Sequence, residues 1–289
     1  MLNRILKDPR HYQLLTLSAL LAFGMASRAF DVSLAQVTGV FAAALFTQFL
    51  GGVMTASRFE PRSAMITALS LSLLLRSDAL TPLMVAAAIA IGSKFMLRLY
   101  GKHIFNPANI GIVSMLLLSQ TIAPGAAWTT PGQWGTALWL AAALAGAGML
   151  VTYRAARIDV PLIFLGAFAA LLFARALWLG DPLSIPMLRL QNGALILFAF
   201  FMISDPKTTP DGAVARAVFA AGAALLAYVL SYHFYLSDGV FYALALMCIA
   251  RPALEAVNPA PHYQWGDATN FPDLRRLLFR KRPHPAPAE

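Results

Sequence analysis

Hydrophobic residues in this chain run in long unbroken blocks, and polar residues gather in the short stretches between them. Neither a period-2 alternation nor a single apolar stripe emerges, so the pattern predicts helices that are apolar all round, as helices facing lipid are. Ten such segments begin near Leu14, Ala35, Ala64, Leu83, Ile104, Trp134, Val160, Gly193, Ala213 and Leu236. A bilayer core of ~30 Å takes about 20 apolar residues per helix. The third segment, Ala64 to Leu75, and the eighth, Gly193 to Ser204, are shorter than that. Each runs into an Asp and then a Pro, so both read as discontinuous helices. The expected fold is all-α, a polytopic membrane protein.

Self-comparison groups the segments into two sets of five. GVFAAALF at Gly39 to Phe46 aligns with GAFAALLF at Gly166 to Phe173, identical at six of eight positions. The same offset of 127 carries Asp78 onto Asp205, and an offset of 130 sets KHIF, with His103, opposite YHFY, with His233. Five spans per half require the halves to insert in opposite orientations, which places a functional site where broken helices meet. The expected divisions are a cytoplasmic N-terminus (1–13), a first five-helix repeat (14–133), a second (134–257) and a basic Pro-rich cytoplasmic tail (258–289).

Charge then orients the chain. With both termini cytoplasmic, eighteen of the 22 Lys and Arg residues fall inside, and only Arg28, Arg76, Arg175 and Arg189 fall outside. Trp128, Trp134 and Trp178 lie near the outer boundary, as an aromatic belt would. The formal charge of +9 therefore speaks for membrane topology, in a bacterial inner membrane, and not for nucleic acid. FPDLRRLLFRKR in the tail suits either a short amphipathic helix on anionic lipid or a solvated tail. With one cysteine, Cys248, the chain can form neither an internal disulfide nor a thiol metal cluster.

Ionisable groups among membrane helices are costly, so each is a candidate. Asp78 and Asp205 end the two short segments, where they suit ion coupling or capping of the next helix. The densest polar run between apolar segments is KFMLRLYGKHIFNPANIG, Lys94 to Gly111. There Pro107 pushes Asn106 out of helical geometry, and Asn109 can bridge backbone groups at the break. Lys102, His103, Asn106 and Asn109 from this run, with Asp205, Thr208 and Thr209, are the candidate cofactor-binding residues. Lys94, Arg98 and Lys102 also suit a purely topological role. No metal set is expected, since His103 and His233 stand far apart in the chain, and no P-loop or GxGxxG pattern appears.

KFMLRLYGKHIFNPANIG resembles the Lys…Gly…NPA signature of the D subunit of Rnf electron-transport complexes, shared by the B subunit of the sodium-translocating NADH:quinone reductase. FAFFMISDPKTTP (Phe198 to Pro210) is similar to that family's FFMATDPxTSP, and LSDGVFYALALMCIARP resembles its last helix. The resemblance covers about Ala64 to Pro252. It implies a ten-helix fold similar to urea and ammonium channels, used for electron transfer, with a covalent FMN on an S-G-A-T threonine and a second, non-covalent flavin. Here the corresponding outer loop reads TIAPGAAWTTPGQWG, and S-G-A-T is absent from the chain. Thr129 and Thr130 lack that recognition context, so covalent FMN is not expected, whereas riboflavin or non-covalent FMN is.

The leading expectation is a membrane electron-transfer subunit, holding a flavin or contacting quinone between the repeats and working with other redox subunits. It would form part of an oxidoreductase rather than a complete enzyme, with no catalytic residue assigned. A channel or carrier for a small polar solute or ion, and a redox-inactive scaffold, remain as alternatives. A continuous polar pore would favour the first of these and a filled midplane the second.

Overall fold

The computed structural model describes residues 8–27, 30–130 and 138–265. The start of the sixth segment at Trp134, the tail beyond Trp265, and Arg4, Lys7 and Arg28 lie outside the described residues. The first half contains α1 (Pro9–Ala26), α2 (Leu34–Met54), α3 (Pro61–Leu74), β1 (Leu75–Arg76), α4 (Leu80–Met96), β2 (Arg98–Leu99), β3 (Lys102–His103), α5 (Pro107–Thr121) and β4 (Trp128–Thr129). The second contains α6 (Leu138–Arg154), α7 (Asp159–Leu179), α8 (Ser184–Leu190), α9 (Gly193–Leu197), α10 (Ala213–Tyr232) and α11 (Gly239–Val257). A π-helix, Phe198–Met202, continues α9.

Local sequence explains where these elements start. Asp8, Ser33, Asn106 and Asn192 each cap the helix that follows by accepting backbone N–H groups, and Pro9 and Pro107 occupy the first helical turn. At Ser33 the cap is a reciprocal box with Gln36. Tyr100 and Gly101 both have positive φ, 50° and 79°, which lets two residues turn β2 into β3.

Among the described residues four helices, α2, α7, α10 and α11, are long and apolar enough to cross a membrane; α4 and the α9–π segment are shorter apolar helices. Large apolar side chains on α2 and α7 point away from the protein, Phe46 at 66% exposure and Leu177 at 71%. Inside, small residues let backbones approach. Ala86 and Ala90 of α4, and Ala220, Ala224 and Ala227 of α10, are fully buried. A Cβ added at Gly111 of α5 would stand 2.7 Å from the Ala86 carbonyl oxygen, so only glycine fits that crossing.

The packing order recurs. In the first half α2 packs on α4, and α4 on α5; in the second α7 packs on α10, and α10 on α11. Across the halves α1 meets α6 and α5 meets α11. The segments Gly39 to Phe46 and Gly166 to Phe173 lie in α2 and α7.

The third and eighth segments are both interrupted. The third is helical only to Leu74, where it turns into β1, and β1 pairs antiparallel with β4 of the loop after α5. The Arg76 guanidinium donates to the Ser72, Leu73 and Leu75 carbonyls at 2.8–3.1 Å, closing the open end of α3. Arg76, assigned from sequence to the outer side, lies in the connection after α3 and is buried as this helix cap. The eighth segment widens into the π-helix, with Ile203 N–H bonded to the Phe198 carbonyl at 2.9 Å, and stops at Asp205–Pro206. Such π segments often mark functional sites, because the extra residue re-aims the side chains that follow.

Candidate functional site

The two breaks bring Asn106 and Asp205 together. Asn106 Nδ2 donates to the Met202 carbonyl at 3.2 Å and to Asp205 Oδ2 at 3.4 Å, while its Oδ1 caps α5 by accepting from Asn109 N–H. One side chain thus ties the start of α5 to the end of the π-helix. Asp205 is a turn centre: its Oδ1 accepts from Lys207 N–H, and its carbonyl accepts from the Thr208 and Thr209 N–H groups and hydroxyls. Asn109, fully buried, donates to the Phe241 carbonyl of α11 at 3.1 Å, and its Oδ1 has no protein partner.

This junction forms one wall of a cavity of about 450 Å³. The cavity opens on the face where both described chain ends lie, since Arg10 and Trp265 also line it. Ile66, Phe95, Pro107 and Phe201 give it apolar walls, and Gln48, Lys94, His103, Asn106 and Asp205 give it polar edges. His103 Nδ1 has no hydrogen-bond partner among the described residues. The Lys94 ammonium, at 6% exposure, donates to Gln48 Oε1 at 2.7 Å. The size lies within the ~300–1,000 Å³ typical of small-molecule sites. Apolar walls with hydrogen-bonding groups at the edges suit the two faces and polar edge of a flavin ring.

Lys102 is placed otherwise. Its ammonium is buried beside this cavity, bonded to the Thr209 carbonyl (3.0 Å), Asp211 Oδ2 (3.0 Å) and Glu255 Oε1 (2.7 Å). All three donors are taken, so Lys102 clamps the hairpin to the loop after the π-helix and to α11. Arg157, from the turn between α6 and α7, joins the cluster through Asp211 Oδ1 at 3.3 Å and through the Thr209 hydroxyl. Thr208 and Thr209 are buried as parts of this turn.

The segment after α11 then folds over the cluster. Tyr263 N–H donates to Asp211, Lys207 donates to the Tyr263 carbonyl at 3.1 Å, and Arg157 lies 4.8 Å over the Tyr263 ring. Burial pushes the Tyr263 phenol well above its ordinary range, so it stays neutral beside the guanidinium. Arg10 stacks 4.9 Å over Trp265. Arg10 also grips Asp8; burial works to raise that carboxyl, but the Arg10 bonds and the Arg62 charge leave it below the usual carboxylate range.

A second cavity, about 320 Å³, lies at the opposite ends of the helices, where α9 and α11 begin. Trp128, Thr129, Thr130, Asn192 and Asp238 are among its lining, and Thr129 donates to Asp238. The two cavities share no lining residue. Beside the second, Phe164, Phe168, Phe198 and Phe241 form a continuous ring cluster with centroids 5.2–5.9 Å apart. Asp78 is exposed and lines neither cavity, and His233 stands at the end of α10, away from His103.

Of the residues singled out from sequence, then, His103, Asn106 and Asp205 line one cavity, Asn109 supports it, and Lys102, Thr208 and Thr209 brace it. Gln48 was missed, although a lone amide in the apolar run FTQFLGG was a signal. Asp211, Arg157 and Glu255 were missed because nothing local links residues so far apart in the chain.

Residues 122–263 match the NQR2, RnfD, RnfE family. The chain is 34% identical over 134 residues to the D subunit of the ion-translocating oxidoreductase complex of Escherichia coli O1:K1 / APEC. It is 35% identical over 136 residues to the same protein of Escherichia coli O9:H4 (strain HS). Each match covers 46% of this chain and 36% of the relative, so it spans about a third of the length of these curated relatives. FAFFMISDPKTTP and LSDGVFYALALMCIARP lie inside residues 122–263, and KFMLRLYGKHIFNPANIG lies before them. The part of this chain that is similar to the NQR2, RnfD, RnfE family is therefore the part that supplies the broken eighth segment and the carboxylates of the ion cluster.

Proposed function

We propose that this chain is an integral-membrane electron-transfer protein that holds a flavin non-covalently in the 450 Å³ cavity. Ten segments in two inverted five-helix repeats would span a bacterial inner membrane, with both termini cytoplasmic and this cavity facing the cytoplasm. The recurring packing order of the two halves supports that arrangement, as does the pairing of one cavity with each end of the bundle. The observation that carries the flavin reading is the cavity at the Asn106–Asp205 junction, with apolar walls and polar edges.

When bound, the flavin would supply reversible electron uptake; the protein supplies position and electrostatics. Phe95 and Phe201 would pack on the ring faces, and Gln48, Lys94 and Asn106 would meet its polar edge. The segment from Tyr263 to Trp265 would exclude water. The named relatives belong to an ion-translocating oxidoreductase complex, so other redox subunits are the expected electron donors and acceptors, with quinone as the candidate small-molecule partner. Asp205, at the break, is the candidate for coupling to an ion.

Two separate cavities with a packed phenylalanine cluster beside one of them favour electron transfer over flow of a solute, which would need a connected polar path. The test is flavin content of the detergent-purified full-length protein. Flavin released by denaturation supports the reading. Flavin retained on the denatured band would indicate attachment, with Thr129 and Thr130 first to examine. Failure to take up added riboflavin or FMN would refute it.

A further inference from the structure

The 450 Å³ cavity carries an imbalance of charge that its own residues leave open. Five basic side chains line it (Arg10, Arg58, Lys94, Arg98 and Lys207) against two acidic ones, Glu60 and Asp205. Neither carboxylate bonds to Lys94, although both act on its charge from a distance. Glu60 is engaged by Arg10 at 3.3 Å and Arg62 at 3.5 Å, and Asp205 by Asn106 and the Lys207 N–H. Lys94 is thus a buried ammonium whose one hydrogen-bond partner among the described residues is a neutral amide, Gln48. A buried cation is costly unless a negative group meets it. Gln48 is itself buried in the otherwise apolar α2, with its oxygen committed to Lys94.

We propose that the Lys94–Gln48 pair is the anion-receiving edge of this cavity, the point at which its ligand carries or develops negative charge. This deepens the flavin reading and rests on it. Two electrons from a donor redox partner and one proton from solvent leave the reduced isoalloxazine with one negative charge on its pyrimidine edge. An ammonium set against that edge binds the reduced ring more tightly than the oxidised one, and so raises its midpoint potential. Lys94 is then a binding residue that sets the potential as well as the occupancy.

The experiment is a reductive titration of full-length protein in detergent, loaded separately with riboflavin and with FMN, for wild type, Lys94→Met, Lys94→Arg and Gln48→Glu. A hydrogen bond to a charged group shifts an equilibrium by at least about tenfold. Lys94→Met should therefore cost at least about tenfold in preference for reduced over oxidised flavin, a fall of ~30 mV for a two-electron couple. Gln48→Glu gives Lys94 a carboxylate partner and should lower the potential in the same direction without removing the lysine, so the proposal stays testable if Lys94→Met does not fold. Lys94→Arg should keep most of the wild-type value. A midpoint unchanged in both Lys94→Met and Gln48→Glu, with flavin still bound, would overturn the proposal and leave the flavin reading standing. Wild type that takes up neither flavin would overturn the flavin reading, and the proposal with it.

Discussion

Replacing Asp211 with Asn removes the charge on which the ion cluster converges. Its carboxylate is 4% exposed and receives Lys102 at 3.0 Å, Arg157 at 3.3 Å, His262 Nδ1 at 3.1 Å and the Tyr263 N–H at 3.3 Å. Lys102 and Arg157 are themselves 6% and 4% exposed, so neither can turn to water when the carboxylate is lost. Breaking a buried ion pair costs about 3–5 kcal/mol, because a charge is left uncompensated. Lys102 keeps Glu255 and the Thr209 carbonyl, which holds the expected loss near the lower end, about 3 kcal/mol. For a chain of 289 residues that corresponds to a fall of roughly 5 °C in Tm. The assay is thermal unfolding of the detergent-solubilised protein followed by tryptophan fluorescence, with exposed Asp78→Asn as the control, expected within about 0.5 kcal/mol of wild type. A melting temperature for Asp211→Asn equal to that of the Asp78→Asn control would refute the view that this cluster braces the site.

Further outcomes can be read with similar assays. Gly111→Val should destabilise by more than about 2 kcal/mol, because its side chain meets the Ala86 carbonyl where a Cβ already stands at 2.7 Å; a wild-type melt would show that α4 and α5 can separate there. Asn106→Ala loses the α5 cap and the bond to the Met202 carbonyl, which keeps the Asp205 N–H at 3.4 Å, for a combined cost of about 2 kcal/mol. The same variant should bind added flavin more weakly, which equilibrium titration would measure. Asp205→Asn should reduce electron transfer or ion coupling in membranes while insertion, followed by protease protection, stays intact; unchanged activity would make Asp205 an ordinary turn residue.

Much of the architecture was legible from sequence because hydrophobic blocks and helix caps are local. The breaks of the third and eighth segments were announced by their shortness and by Asp and Pro at their ends. Asn106 could be placed at a helix start because the following Pro forbids helical geometry there. Residue type alone did not tell the uses of the basic residues apart. Lys102 was grouped with the ligand-binding candidates, yet its ammonium is consumed by Asp211 and Glu255, more than a hundred residues away. Lys94 had the look of a topology signal, yet it lines the cavity with a single neutral hydrogen-bond partner among the described residues. Arg76, assigned from sequence to the outer side, closes the open end of α3.

By itself, then, the sequence determined a lipid-facing helical chain with paired interruptions, since each of those features follows from the solvent preference and backbone constraints of a few neighbouring residues. Only the tertiary structure decided which charges are satisfied by other parts of the chain and which are left facing a cavity. Charge compensation is a property of positions in space: a carboxylate ~3 Å from an ammonium neutralises it whatever their separation in sequence.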